Sequence, residues 1–241
     1  MENATSESII FSPTCILTEL SLLYIGANGK SADEIHEIIG KDLSKNEIIE
    51  LLAEKINRHK KAAFGIQDCT VTFANKLFYS ELCEIVSEFS EILKTKLYGE
   101  IQAIDFTSKN LVAKELNKFI QKSTKNQISN AIKENEIPDG TDLALISSLH
   151  FIAAWKDSFE PRRLETFYST PERKIAMMSQ YALPQMNWNL VQDDDKEWDC
   201  LGIPYLNFKA WMYIVLPKKE SSLSELIKGM TKESFDKWTQ R

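Results

Sequence analysis

Thirteen consecutive uncharged residues, Leu143 to Trp155, stand between Asp142 and Lys156 within the stretch Thr141 to Phe159, TDLALISSLHFIAAWKDSF. Thirteen is too few to span a bilayer, which takes roughly twenty. If the segment is extended, Leu145, Ile146, Leu149, Phe151 and Ile152 point to both faces, the pattern of a strand covered on two sides. A buried helix is the alternative, because Ala144, Ala153 and Ala154 are good helix formers. The segment follows an Asp139-Gly140 turn signal, and its two-faced apolar pattern favours a core strand.

The remaining elements are read from caps and periodicity. Ser8 to Phe11 is a short extended entry, and Ser12-Pro13 reads as an N-cap followed by proline at the first helical position. Ile16, Leu17, Leu20 and Leu23 then form an apolar helical face that Gly26 and Asn28-Gly29 end. Ser31-x-x-Glu34 and Ser44-x-x-Glu47 are capping boxes for helices carrying Ile35, Ile38 and Ile39, and Ile48, Leu51, Leu52 and Ile56. Thr70 to Phe78 alternates as a strand does, and Leu82 to Leu97 is expected to be helical through Ile85, Phe89, Ile92 and Leu93. Ile101 to Phe106 is extended, and a helix from Asn110 carries Val112, Leu116, Phe119 and Ile120.

Beyond the central stretch the character turns to β. Strands are expected at Phe167-Tyr168, Ile175 to Met178, Trp188 to Val191, Trp198 to Tyr205 and Trp211 to Leu216. Ser222-x-x-Glu225 starts a helix, and a last one carries Phe235 and Trp238.

A net charge of -6 argues against a phosphate-backbone binder, and the run Arg58 to Lys61 complements a helix dipole instead. The N-terminus has no basic-then-apolar leader, so a cytoplasmic chain without a signal peptide is expected. Cys15, Cys69, Cys83 and Cys200 show no metal-binding spacing and are expected to be free thiols. Asp193-Asp194-Asp195 reads as a solvated turn, lacking the glycine and distal glutamate of a calcium loop. No metal or cofactor is expected. A hydrolase pairing Cys200 or Cys83 with His150 or His59 is a remote alternative, since no nucleophile motif accompanies them.

Taken in order, these blocks resemble the serpins. Phe11-Ser12-Pro13 with Ile16, GANGKSADEI (Gly26 to Ile35), Ala74-Asn75-Lys76-Leu77-Phe78, and Leu116-Asn117-Lys118-Phe119 with Thr124 and Ile128 match successive family motifs. Phe151 and Trp155 fall at an F-x-x-x-W pair in the third strand of the main sheet. Met177-Met178, Ile203-Pro204-Tyr205 and Ile214 to Pro217 follow. The resemblance implies an α+β fold, helices packed on several sheets, with 1–241 as one partial domain whose main sheet and C-terminal barrel are incomplete.

It also implies an activity. Inhibitory serpins are suicide substrates of serine, or sometimes cysteine, proteases: a cleaved reactive loop inserts into the main sheet and carries the acyl-enzyme with it. Family members are often extracellular, the alternative to the cytoplasmic expectation. No residue here matches the reactive loop, so no scissile position is named, and the chain is not expected to inhibit by insertion alone. Trp155 is either a support for the sheet top where insertion begins or an ordinary core tryptophan. Ser12, Cys15 and Ser147 form either a reduced version of the family's hydrogen-bonded cluster beneath the sheet or simply a cap, a buried thiol and a strand hydroxyl. Ser147 replaces an asparagine, Cys15 a serine and Ala153 a glycine of the family pattern. A third strand left as an open edge is expected to make the chain aggregation-prone or to accept a strand from another serpin chain.

Overall fold

The computed structural model describes residues 9–40, 42–63, 69–168, 171–180, 189–192, 198–217 and 223–239. They fall into two compact units, residues 9–152 and 153–241.

In the first unit, helix α1 (Pro13–Gly26) starts where Ser12 predicts, its hydroxyl accepting the Cys15 N–H at 3.2 Å. The buried face is not the expected one. Ile16, Leu17 and Leu23 are exposed, while Thr18, Ser21, Leu22 and Ile25 are buried. Thr18 and Ser21 tolerate burial because each hydroxyl donates to a carbonyl of its own helix, Thr14 at 2.8 Å and Leu17 at 2.7 Å. Lys45 closes the far end by donating to the Ile25 and Ala27 carbonyls at 3.2 and 3.0 Å.

Helix α2 (Gly29–Ile39) begins two residues before the capping box expected at Ser31, which therefore lies inside the helix. Glu34 pairs instead with Lys30 one turn earlier, an exposed contact of little energy. Gly40 ends the helix at φ +150°, a backbone region that favours glycine. In α3 (Lys45–Ala63) the second capping box forms as read: Glu47 accepts from the Ser44 N–H at 2.8 Å, and Ser44 Oγ accepts from the Glu47 N–H at 3.3 Å. Its buried residues are Ile48, Ile49, Leu52 and Ile56, with Leu51 turned outward.

Strand β1 (Cys69–Ser80) is the middle of a three-stranded sheet in the order β2–β1–β3. Strand β2 (Glu100–Ile104) runs parallel to it, with Lys76 opposite Glu100 and Ser80 opposite Ile104. Strand β3 (Leu143–Ala153) is the constraining segment of the sequence, and it is extended. Its cover is incomplete: Leu143, Phe151 and Ile152 are exposed, and among the described residues no strand lies beyond it.

The expected helix from Leu82 to Leu97 is much shorter. Ser80 turns the chain by accepting the Leu82 N–H on its hydroxyl and the Cys83 N–H on its carbonyl. Helix α4 (Ser87–Glu91) follows and widens into a π turn, Ile92–Lys96, where the Leu97 N–H reaches the Ile92 carbonyl. Helix α5 (Lys109–Ser123) buries Val112, Leu116, Phe119 and Ile120 as read. Asn117 exchanges two hydrogen bonds with Ile132, which fastens the following loop to this helix.

Two cores flank the sheet. Leu22, Ile25, Ile48, Leu52, Ile56, Leu77, Leu93 and Leu97 form one. Phe78, Ile104, Val112, Leu116, Phe119 and Ile120 form the other.

In the second unit, β4 (Glu160–Phe167) pairs antiparallel with β5 (Arg173–Ser179). The EPRRLETF sequence of β4 has no apolar alternation, so only its end was legible; pairing with β5 makes it a strand. A second sheet has the order β6 (Asn189–Gln192), β7 (Trp198–Pro204), β8 (Trp211–Pro217), all antiparallel. Trp198 and Cys200 are buried here against Tyr213, Val215 and Leu226. Short helices α6 (Leu223–Lys228) and α7 (Lys232–Thr239) complete the unit, and Phe235 is exposed. Trp188, Asp193 to Asp195, Ser222, and the side chains of Trp238, His59 and the basic run around it lie outside the described residues.

Candidate functional site

The first site residues sit where α1 passes the sheet. Ser12 is the helix cap for Cys15, and Cys15 is half-buried. Burial pushes the Cys15 thiol up, only partly offset by the Ser12 hydrogen bond, with Glu19 also raising it and Lys55 lowering it. A thiol held this way is not poised as a nucleophile.

Ser147, on β3, is held from two sides. Its hydroxyl donates to Asn75 Oδ1 of β1 at 2.7 Å, and its backbone N–H donates to Glu19 Oε1 of α1 at 2.9 Å. Asn75 is buried, so this exchange satisfies an amide oxygen that water does not reach. The structure thus joins Ser12 to Cys15, and Ser147 to Asn75 and Glu19. Glu19 is the group that acts on both Cys15 and Ser147. On the other face of β3, Ser148 donates to Ser123 of α5 at 2.8 Å.

Sequence reasoning passed over Glu19. The signal was there: a carboxylate between Thr18 and Leu20 on a helix whose neighbours are otherwise uncharged from Pro13 to Asn28. Its partner is 128 positions away, and no local pattern points to it.

Burial holds the Glu19 carboxyl above its ordinary range, with the Ser147 hydrogen bonds pulling it partly back. The sign of the linkage follows. An acid whose folded pKa is raised contributes stability that is fully present below its unfolded value, about 4.3, and is lost as pH rises through the folded value. Glu19→Gln mimics the protonated form and keeps an oxygen to accept from Ser147. The variant is therefore expected to melt above the parent at pH 7, and the gap is expected to close toward pH 4. Paired thermal melts at the two pH values check this; a gap that widens on acidification contradicts it.

Trp155 belongs to the second unit. It makes a single antiparallel bridge with Tyr205 and stacks on that ring at 4.3 Å between centroids, with Phe159 edge-on at 5.4 Å. Backbone bonds from Lys156 to the Pro204 carbonyl and from Leu206 to the Ala154 carbonyl close the contact. The segment after β3 is thereby pinned to the end of β7.

The cysteine–histidine alternative gains no support. Burial pushes the Cys200 thiol up, away from a reactive thiolate. Among the described residues no group of three His, Cys, Asp or Glu side chains is placed to hold a metal, and no helix is long and apolar enough to cross a membrane. A cleft of about 570 Å³ lies between α1, α4 and the start of β3, lined by Leu22, Phe89, Leu143 and Lys45. Its cation is already committed to the Ile25 and Ala27 carbonyls.

A three-stranded sheet with a core on each face, and α1 hydrogen-bonded to β3, make the first unit a mixed α+β fold. The family model for serpins (serine protease inhibitors) matches residues 1–241, and the chain belongs to that family. Human neuroserpin is 26% identical over 241 residues, covering 96% of this chain and 58% of that protein. The leukocyte elastase inhibitor of Xenopus tropicalis is 25% identical, over 99% of this chain and 64% of its own length. Human serpin B8 is 25% identical, over 99% and 63%. The chain thus spans about three fifths of these relatives.

Solved structures agree on the fold. Cleaved kallistatin complexed with heparin superposes with a TM-score of 0.84 at 18% identity, covering 98% of this chain and 68% of that one. Reactive-loop-cleaved human thyroxine-binding globulin gives 0.84 at 24% identity, with the same coverage.

Proposed function

We propose that this chain serves protease inhibition of the serpin type, and that its 241 residues supply the sheet that receives a reactive loop rather than the loop itself. The carrying observation is the border of the main sheet: β3 is extended, apolar and has no described strand beyond it. In the reaction so proposed, the protease serine attacks the scissile carbonyl of the loop and forms an ester as the downstream amine leaves. Insertion of the loop beside β3 then carries the acyl-enzyme with it and distorts the protease active site before the ester hydrolyses. Trp155, fixed on Tyr205, holds the end of the strand along which that insertion begins.

The test uses two samples, the 241-residue chain and the endogenous product captured through an antibody to residues 141–159 and sized by intact mass. Both are incubated with trypsin-, chymotrypsin- and elastase-type serine proteases. The expected result is no complex stable to denaturing gels from the 241-residue chain, and one from an endogenous product that is longer. A covalent complex formed by the 241 residues alone overturns the division.

A second reading draws on the same strand border. β3 accepts an extended strand from another chain, so that the protein modulates serpins rather than proteases. A reactive-loop peptide that leaves the tryptophan fluorescence unchanged at saturating concentration counts against it.

A further inference from the structure

The corner between α1 and α2 carries two adjacent groups that inhibition leaves unused. Asn28-Gly29 is the only Asn-Gly step in the chain, and both residues are exposed. Asn28 stands at the cap position of α2 in an extended conformation, φ -133° and ψ 162°, yet its side chain makes no capping hydrogen bond. Nothing among the described residues accepts the Gly29 N–H. Gly29 takes φ +58°, and a Cβ placed on it would find no atom within 4 Å. A carboxamide of the kind that helix caps hold is therefore loose here, and the backbone nitrogen beside it is neither bonded nor screened. The geometry points to Asn28 as a site of self-modification, a deamidation that turns it into aspartate or isoaspartate.

The Gly29 backbone nitrogen loses its proton to hydroxide and attacks Asn28 Cγ. A C–N bond forms there, the bond from Cγ to the side-chain nitrogen breaks, and that nitrogen takes a proton from water and leaves as ammonia. One water molecule then opens the five-membered imide. Cleavage of its bond to Cγ gives aspartate. Cleavage of its bond to the Asn28 main-chain carbonyl leaves the chain running through Cβ and Cγ, which is isoaspartate. Ring closure needs Asn28 to turn about its Cα–C bond away from ψ 162°. The turn breaks no hydrogen bond of either reacting group, and Gly29 can compensate because it has no Cβ to clash. Other exposed asparagines lack this freedom. After Asn126 the next nitrogen, that of Gln127, is spent on the Thr124 carbonyl at 3.0 Å, and after Asn130 the methyl of Ala131 stands beside the nitrogen.

Lys45 gives the change a structural consequence. Its Nζ donates to the Ala27 carbonyl at 3.0 Å, one residue before Asn28. Aspartate at 28 places a negative charge next to that cation's anchor and at the N-terminus of α2, where the helix dipole favours it. Isoaspartate adds one carbon to the main chain between Ala27 and Gly29 and loosens the same corner. The two products therefore act on the α1–α2 junction in opposite directions.

The purified chain, its Asn28→Gln variant and a synthetic peptide of residues 22–34 are incubated at pH 7 and pH 9, below the thermal transition of the chain. Peptide mapping follows each asparagine, and enzymatic methylation reads isoaspartate. Asn28 is expected to be lost about tenfold or more faster than Asn126 and Asn130 in the same sample, a barrier difference of about 1.4 kcal/mol. The loss is expected to be faster at pH 9, since hydroxide removes the proton from the attacking nitrogen. The folded chain is expected to react within about tenfold of the free peptide, because the corner holds neither group. Glutamine at 28 would have to close a six-membered ring, so the isoaspartate signal is expected to vanish in that variant. Loss of Asn28 no faster than of Asn126 and Asn130 overturns the site, as does an isoaspartate signal that persists in the glutamine variant. A peptide that reacts while the folded chain does not also overturns it, since the fold would then restrain the groups that the geometry leaves free.

Discussion

Phe78→Ala is expected to cost about 3–5 kcal/mol, the range for an aromatic cut from a packed core. Phe78 is completely buried near the C-terminal end of β1, the middle strand of its sheet, edge-on to Phe119 at 6.2 Å between ring centroids. It also packs among Ile104 of β2 and Val112 and Leu116 of α5, so one side chain ties two strands to a helix. Lys76 lies 5.1 Å above its ring centroid and bonds Glu100 at 2.9 Å, so the loss also loosens a cation held at the sheet surface. Domains are stable by only about 5–15 kcal/mol, and a loss of this size removes a large part of the total. Urea unfolding followed by far-UV circular dichroism measures it, with Phe78→Leu as the variant that keeps most of the volume. A loss below about 1 kcal/mol in the alanine variant contradicts this account of the core.

Gly202→Val is expected to destabilise the sheet of β6, β7 and β8. Gly202 is in the central strand β7, opposite Asn189 of β6 and Tyr213 of β8. The Tyr213 ring lies across it. A Cβ at position 202 would meet Tyr213 Cε1 at 2.9 Å and Trp211 Cε3 at 3.4 Å. Those rings also stack, at 6.2 Å between centroids, so Tyr213 has little room to give. Overpacking of this kind costs about 1–3 kcal/mol. The check is a double-mutant cycle with Tyr213→Leu, read by thermal unfolding: the two changes together are expected to cost less than their sum. Strict additivity means that ring and glycine do not make the contact described.

How much was legible varied with the range of the interaction that decides each element. The Ser44–Glu47 box formed where it was read because all its partners lie within four residues. The Ser31–Glu34 box did not form, although its sequence is as good, because the chain had already entered the helix at Gly29. Helical periodicity found Val112, Leu116, Phe119 and Ile120 on α5, and the same rule chose the wrong face of α1. Hydroxyls that bond within their own turn pass for solvent-facing residues in any hydropathy pattern.

The functional region shows the same division. The helix cap at Ser12, the strand character of β3 and the ordered family motifs all follow from residue types and short spacings, and these determined the serpin fold from the chain alone. What Ser147 bonds to was decided in three dimensions. Asn75 and Glu19 are 72 and 128 positions from it and meet it only once β1, β3 and α1 are packed. The exit of β3 was settled likewise, by Trp155 stacking on Tyr205. Capping and alternation act over a few residues and are written in the order of the chain. Where a half-buried carboxylate finds its hydrogen bond depends on which backbone N–H the packing of α1 on the sheet brings to it, and only the tertiary structure decides that.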